Sequence, residues 1–330
     1  MRAFVTGSTG CLGRNLVERL VADGHEVVAT GRNVAVGERL STLGARFVAA
    51  DIADHDTLAD AARGCDTVFH CAALASPWGK YEDFYLANVM GTNAAIIAAL
   101  KAKATLVHVS TPSIYFDFRN RLEIDEYDPL PERQVNDYAA TKLEAEGYVD
   151  NAVAKHGLRA VTLRPRAIFG PYDTALFPRV LAACRNGRVP LVGKGHTVID
   201  VSCVSNVVDA MLLASERAET VCGRKYNITN GKPVLLRDLI SLAFEKIGLE
   251  FNPRSIPYPL AYGAARIMES VAASRFGKGE PKLTRYSAGV LKYHQTLSIK
   301  RAREELGYVP RKSTVAGVAE YAEWRRSGEA

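Results

Sequence analysis

The first half of the chain alternates short apolar, β-branched runs with stretches whose apolar positions recur at helical spacing. This pattern predicts strands at "AFVTG", "EVVATG", "RFVAAD", "TVFHCAA", "TLVHVS" and "RAVTLRP". Helices are predicted between them, near residues 11–23, 56–63, 82–101 and 136–156. The apolar runs lack strict alternation with polar residues, as expected of strands covered on both faces. Strand–helix alternation of this kind implies an α/β fold with a parallel sheet and helices on both sides. After Pro165 the texture changes, and Pro and Gly become frequent in "FGPYD", "RVPLVGKGH", "NGKPV" and "NPRSIPYPL". A smaller, less regular lobe is expected there. The segment "YPLAYGAARIMESVAAS" carries Arg266 and Glu269 and reads as an amphipathic helix over a core or pocket. No segment is expected to offer an uncharged run long enough to span a bilayer.

Composition narrows the function only by exclusion. With 48% hydrophobic and 24% charged residues, the chain resembles an ordinary folded protein. The net charge, 42 − 36 = +6, is scattered along the chain. It reads as a mild preference for anionic small molecules or as a solvated mixed surface, without the basic stripe of a nucleic-acid binder. Cys11, Cys65, Cys71, Cys184, Cys203 and Cys222 form no CxxC pair and no zinc spacing, so no metal is expected. A reducing cytoplasm fits these cysteines. The N-terminus enters a strand pattern at once, without the regions of a signal peptide.

The stretch "VTGSTGCLG" places Gly7, Gly10 and Gly13 between the first strand and the first helix. Glycine there permits a tight turn, lets backbone amides approach a pyrophosphate and allows close packing of helix on sheet. Thr6 and Ser8 can add hydroxyl contacts. Strand, glycine turn and helix together point to a dinucleotide site, and so to a doubly wound, Rossmann-type sheet with a C-terminal substrate lobe. The division expected is residues 1–165 for the dinucleotide domain, with 198–228 returning to it, and 166–197 with 229–330 for the lobe. The second strand ends in Gly31 and Arg32, where an NAD-selective site usually carries a carboxylate. Arg32 can pair with a 2′-phosphate, so NADP(H) is favoured and NAD(H) stays open. Asp51 ends the third strand and is read either as an acceptor for the adenine amino group or as a helix N-cap.

Two tyrosine–lysine pairs share a four-residue spacing. In "YVPRK", Pro310 separates Tyr308 from Lys312, so no regular helix carries both on one face. In "YAATK" the residues between Tyr138 and Lys142 are good helix formers, and the two side chains share a face. A phenol titrates near pKa ~10, and a nearby ammonium favours its ionised form. Tyr138 then suits proton exchange with a carbonyl or alcohol oxygen. The fifth strand ends in "VHVSTPSIYF", which offers Ser110, Thr111 and Ser113 to orient that oxygen.

The glycine turn, "VFHCAA", "ANVMGTNAAIIAA", "VSTPSIY", "YAATK" and "LRPRAIFGP" occur in the order seen in extended short-chain dehydrogenases/reductases, and the chain resembles that group. The group contains nucleotide-sugar epimerases and 3β-hydroxysteroid dehydrogenases. The segments "STPSIYF", "EPKLTRYSAGVL" and "RAREELGYVPR" are more similar to the branch of 3β-hydroxysteroid dehydrogenases and 2-alkyl-3-ketoalkanoate reductases. The resemblance implies Tyr138 as acid/base, Lys142 as its modulator and ribose contact, and Thr111 as the hydroxyl partner of the substrate. It also implies a cofactor site lined by Gly7, Ser8, Thr9, Gly10, Cys11, Leu12, Gly13, Arg32, Asp51, Ile52, Cys71, Ala72, Ala73, Asn88, Ser110, Arg164 and Pro165. Asn88 is expected to brace the site, and a structural role competes for Arg164. The expected activity is hydride transfer between NAD(P)(H) and a ketone or secondary alcohol on a bulky, lipophilic small molecule. Tyr258, Tyr262 and Met268 suit an apolar pocket for it. A nucleotide-sugar epimerase and a non-catalytic dinucleotide sensor are the alternatives, and a homodimer through the helices near 82–101 and 136–156 is implied.

Overall fold

The computed structural model describes residues 1–184, 187–274 and 279–328. Its centre is a parallel seven-stranded sheet, and the strands in spatial order are Lys225–Ile228, Ala160–Pro165, Thr105–Val109, Thr67–His70, Arg2–Thr6, Glu26–Gly31 and Arg46–Ala49. The chain winds outward from Arg2–Thr6 through two strands, then returns to the other side of that first strand. Strand order therefore reverses between Arg2–Thr6 and Thr67–His70, and ligands of such sheets bind in the crevice beyond the strand ends at that point.

Helices cover both faces. On one, Cys11–Ala22 packs against Val204–Glu216, burying Leu16, Val17, Leu20, Val207 and Met211 against the sheet. On the other lie His55–Ala61, the helical residues 81–102 and Asp137–His156, with Ala94, Ala95, Ala98 and Ala99 in the core. Residues 81–102 are long and apolar enough by length and composition to cross a membrane, but they carry Glu82, Asp83 and Lys101 and are largely buried in the fold, as the core helix of a folded protein is. The apolar character has a packing cause: its alanines allow close approach to the sheet and to the neighbouring helices. A helix at Val34–Thr42 was not foreseen. Its Gly37 masks the pattern, because a Cβ there would lie 2.2 Å from the Phe47 ring.

A four-stranded sheet of Val234–Leu235, Val198–Ile199, Gln295–Leu297 and Arg121–Ile124 builds the smaller lobe. Arg121–Ile124 comes from the half expected to be wholly dinucleotide-binding, and Val198–Ile199 from the segment expected to return to the main sheet. Within that segment it is Val204–Glu216 and Lys225–Ile228 that return. Helices Tyr258–Ala273 and Arg285–Val290 pack together beside the strand ends.

Candidate active site

The glycine turn is dictated by close contacts. Gly7 has φ +65°, and a Cβ on it would sit 2.6 Å from the Ala72 amide nitrogen. A Cβ on Gly13 would sit 2.2 Å from the Gly7 carbonyl oxygen, so the helix rests directly on the turn. Gly10 would meet nothing nearer than that oxygen, at 3.4 Å. It is also the N-cap of Cys11–Ala22, with no side-chain cap and no acid in the first turn. The first amides of this helix thus lack an internal acceptor beside a gap only glycine leaves, an arrangement that fits a dinucleotide pyrophosphate.

The expected hydroxyl contacts are corrected. Thr6 Oγ1 bonds His70 Nδ1 at 2.8 Å, and Ser8 Oγ donates to the Thr30 carbonyl at 3.0 Å, so both are occupied in the interior. Leu12 is a core residue, and the Cys11 thiol turns to the Pro171 carbonyl at 3.4 Å. Thr9 packs on Gly31, where a Cβ would lie 2.8 Å from its hydroxyl oxygen. Arg32 and Asp51 are exposed and face each other at 4.0 Å across the rim of the crevice. Asp51 is not the cap of the next helix, a role Asp54 takes by accepting from the Thr57 amide at 3.1 Å. Ile52 packs over Gly91, where a Cβ would come within 2.7 Å of it. Cys71, Ala72 and Ala73 follow the fourth strand, against the glycine turn.

Helix Asp137–His156 starts where Asn136 accepts from the Ala139 amide at 2.9 Å. Tyr138 and Lys142 then fall on its first two turns and face the end of the fifth strand. Lys142 is buried and donates to the Val109 carbonyl at 2.7 Å. Thr111 caps the short turn Pro112–Tyr115 by accepting from the Ser113 amide at 3.2 Å, and its hydroxyl is near enough to Tyr138 to influence the phenol. Ser110 Oγ is buried without a partner, a polar atom available to a ligand.

Burial pushes the Tyr138 phenol up to about 12, the Thr111 hydrogen bond opposes this, and Tyr286 adds to it. Lys142 is itself pushed down to about 8 by burial, against the pull of Glu146 and Cys71. The other pair is structural: Tyr308 is buried with its hydroxyl on the Thr229 carbonyl at 2.9 Å, and Lys312 meets Glu320 at 2.7 Å.

Two expected cofactor contacts are engaged elsewhere. Asn88 accepts from the Leu74 amide at 2.8 Å and donates to Thr141 Oγ1 at 3.1 Å, so it braces the strand end against the helix that carries Tyr138. Arg164, buried, donates to both oxygens of Glu146, at 2.9 and 2.6 Å, and to the Tyr115 hydroxyl. Its competing structural reading accounts for it, while Pro165 ends the sixth strand beside Ile228. His70 is held neutral, pushed down to about 3 by burial and then by Lys142.

Tyr138 opens onto a cavity of about 350 Å³ whose wall includes Trp78, Phe84, Phe118, Tyr262 and Tyr286. Tyr262 was expected there; Tyr258 instead joins the tyrosine cluster behind it, 5.7 Å from the Tyr262 ring, and Met268 lies outside the wall. Sequence reasoning missed Tyr286, Phe118 and the Glu269–Arg285 pair in the same wall, which comes as close as 2.5 Å. Arg285 and Tyr286 lie in "EPKLTRYSAGVL" and Glu269 in "YPLAYGAARIMESVAAS", but nothing local in these segments assigns them to the wall.

Comparison with known proteins places this arrangement. The sequence model described as the NAD dependent epimerase/dehydratase family matches residues 3–229. A 4-hydroxy-2-methyl-3-oxo-4-farnesyl-3,4-dihydroquinoline-1-oxide ketoreductase from Stigmatella aurantiaca is 38% identical over 94% of this chain and 92% of its own. A 2-alkyl-3-oxoalkanoate reductase from Stenotrophomonas maltophilia is 36% identical over 96% of this chain and 97% of its own. The solved structure of MoeE5 in complex with UDP-glucose and NAD superimposes with a TM-score of 0.77 at 26% identity, covering 100% of both chains.

Proposed function

The chain belongs to the NAD-dependent epimerase/dehydratase family, and on that premise we propose that it is an NAD(P)-dependent oxidoreductase interconverting a ketone and a secondary alcohol on a bulky, lipophilic substrate. One observation carries this reading: the Tyr138 and Thr111 hydroxyls meet beside an aromatic cavity, at the sheet edge that holds the glycine cradle. Ketones bearing a farnesyl chain or a 2-alkyl branch, named for the two reductase relatives, suit such a wall. A nucleotide sugar suits it less. The one arginine among the described lining residues is already paired with Glu269, which leaves no free cation there for a diphosphate.

The dinucleotide, when bound on the glycine turn, supplies or accepts the hydride. The protein handles position and proton. Thr111 holds the substrate oxygen by its hydroxyl. Tyr138, kept protonated near neutral pH, gives its proton to that oxygen as the ketone is reduced, and takes one back in the reverse direction. Lys142 fixes the helix to the strand end through Val109 and keeps further N–H donors for the nicotinamide ribose. The cavity wall holds the carbonyl close to the reacting face. A panel of branched β-keto acids, steroid-like ketones and nucleotide sugars tests the reading. Loss of reduced nicotinamide absorbance with a lipophilic ketone supports it; conversion of a nucleotide sugar without net absorbance change contradicts it.

Arg32 underlies a preference for NADP(H), because it stands exposed where the second strand ends in Gly31, with no carboxylate at that strand end to meet ribose hydroxyls. Arg32→Ala is expected to raise KM for NADPH by about 10-fold, the worth of one charge-assisted contact, while leaving KM for NADH nearly unchanged. Equal responses of the two cofactors would remove the preference. A homodimer through residues 81–102 and Asp137–His156 is supported by Leu86 and Tyr148, which stay 55% and 37% exposed on those helices. Light scattering should give twice the chain mass, and a monomeric mass at assay concentration would contradict it.

A further inference from the structure

We propose that Tyr286 is a positioning residue for the acid/base pair, acting through Ser113 to set the direction in which the Thr111 hydroxyl donates. This rests on the assignment of Tyr138 and Thr111 given above. Thr111 Oγ1 lies 3.0 Å from Ser113 Oγ, and Ser113 Oγ lies 2.8 Å from the Tyr286 hydroxyl. Three hydroxyls thus form one chain, from Thr111 to Tyr286 on the wall of the cavity that Tyr138 also lines.

Such a chain has two directions. If Thr111 donates to Ser113, its proton is withdrawn from the cavity. If Tyr286 donates to Ser113 and Ser113 to Thr111, the Thr111 proton is free to meet a substrate oxygen. Ser113 and Thr111 in the second arrangement each both accept and donate, so the bonds polarise one another. Without the Tyr286 hydroxyl, Ser113 loses its outer donor and becomes the better acceptor for Thr111, which favours the unproductive direction. Ser113 and Thr111 are both buried, so solvent does not readily replace the missing group.

Tyr286 is held for this task. It belongs to helix Arg285–Val290, whose N-cap Thr284 accepts from the Ser287 amide at 3.0 Å. Its ring stands edge-on to Phe116, 5.4 Å between centroids and 88° between planes. The preceding Arg285 donates its amide to Glu269 at 2.7 Å, tying the helix to Tyr258–Ala273. Thr111 and Ser113 are supplied by the sheet edge and Tyr286 by the lobe, so the productive direction depends on the two parts meeting.

Steady-state kinetics of Tyr286→Phe, Ser113→Ala and the double variant test this, with Tyr286→Leu and Tyr138→Phe alongside. Each single variant is expected to lower kcat about 3- to 10-fold, the worth of one hydrogen bond, with KM within about twofold. The double variant should be no slower than the slower single one, because both break the same chain. Multiplying losses in the double variant would overturn the proposal. So would wild-type kcat in Tyr286→Phe with loss only in Tyr286→Leu, since the ring and not the hydroxyl would then matter. Full turnover in Tyr138→Phe would strike the acid/base assignment itself, a failure separate from that of the chain.

Discussion

Tyr138→Phe is expected to lower turnover by about 10²- to 10⁴-fold, the range that one positioned acid or base supplies, while cofactor binding persists. The ring stays, and with it the contact to Phe84, whose centroid lies 6.4 Å away. Only the hydroxyl is lost. The glycine turn lies on the first strand and the phenol on helix Asp137–His156, so removing the hydroxyl leaves the cradle intact. Fluorescence titration with the reduced cofactor and turnover of the same preparation separate the two effects. Turnover within a few-fold of the parent would take Tyr138 out of the chemistry.

A stability effect of similar weight is expected at Glu146. Its carboxylate is buried, and it holds the buried Arg164 through two bonds, at 2.9 and 2.6 Å. Glu146→Ala leaves a guanidinium in the interior with only the Tyr115 hydroxyl, and breaking a buried pair from one side costs about 3–5 kcal/mol. Against a typical total of about 5–15 kcal/mol, that is a large fraction. Glu146→Met combined with Arg164→Met should recover much of the loss, because neither charge is then stranded. Urea unfolding midpoints of the three proteins check this, and an unchanged midpoint in Glu146→Ala would contradict it. The substitution also removes the charge that holds the pKa of Lys142 up, so Lys142 in the folded variant would titrate lower than about 8.

What could be read from the chain was what is local in it. Gly7, Gly10 and Gly13 were legible because strand, turn and helix follow one another within a few residues. Tyr138 and Lys142 were legible because one helix carries both, and Pro310 excluded the competing pair for an equally local reason. Roles set by burial were not legible. Thr6 and Ser8 read as hydroxyls free for phosphate, yet the fold turns them to His70 and Thr30. Arg164 read either as a cofactor neighbour or as a buried structural arginine, and its partner Glu146 lies 18 residues away on another element. Tyr286 meets Ser113 across 173 residues, and nothing near either residue announces the contact. The cavity wall is assembled from distant segments in the same way, so its aromatic character emerged only from the folded chain.

The account depends most on a net hydride transfer to a ketone carbon. The direct measurement is turnover of a lipophilic ketone with reduced cofactor deuterated at the transferring carbon, followed by mass analysis of the product. One deuterium retained on the new carbinol carbon, with one cofactor oxidised per alcohol formed, is the predicted result. Product formed without deuterium, or an isomer formed while the cofactor stays in its starting state, would contradict it.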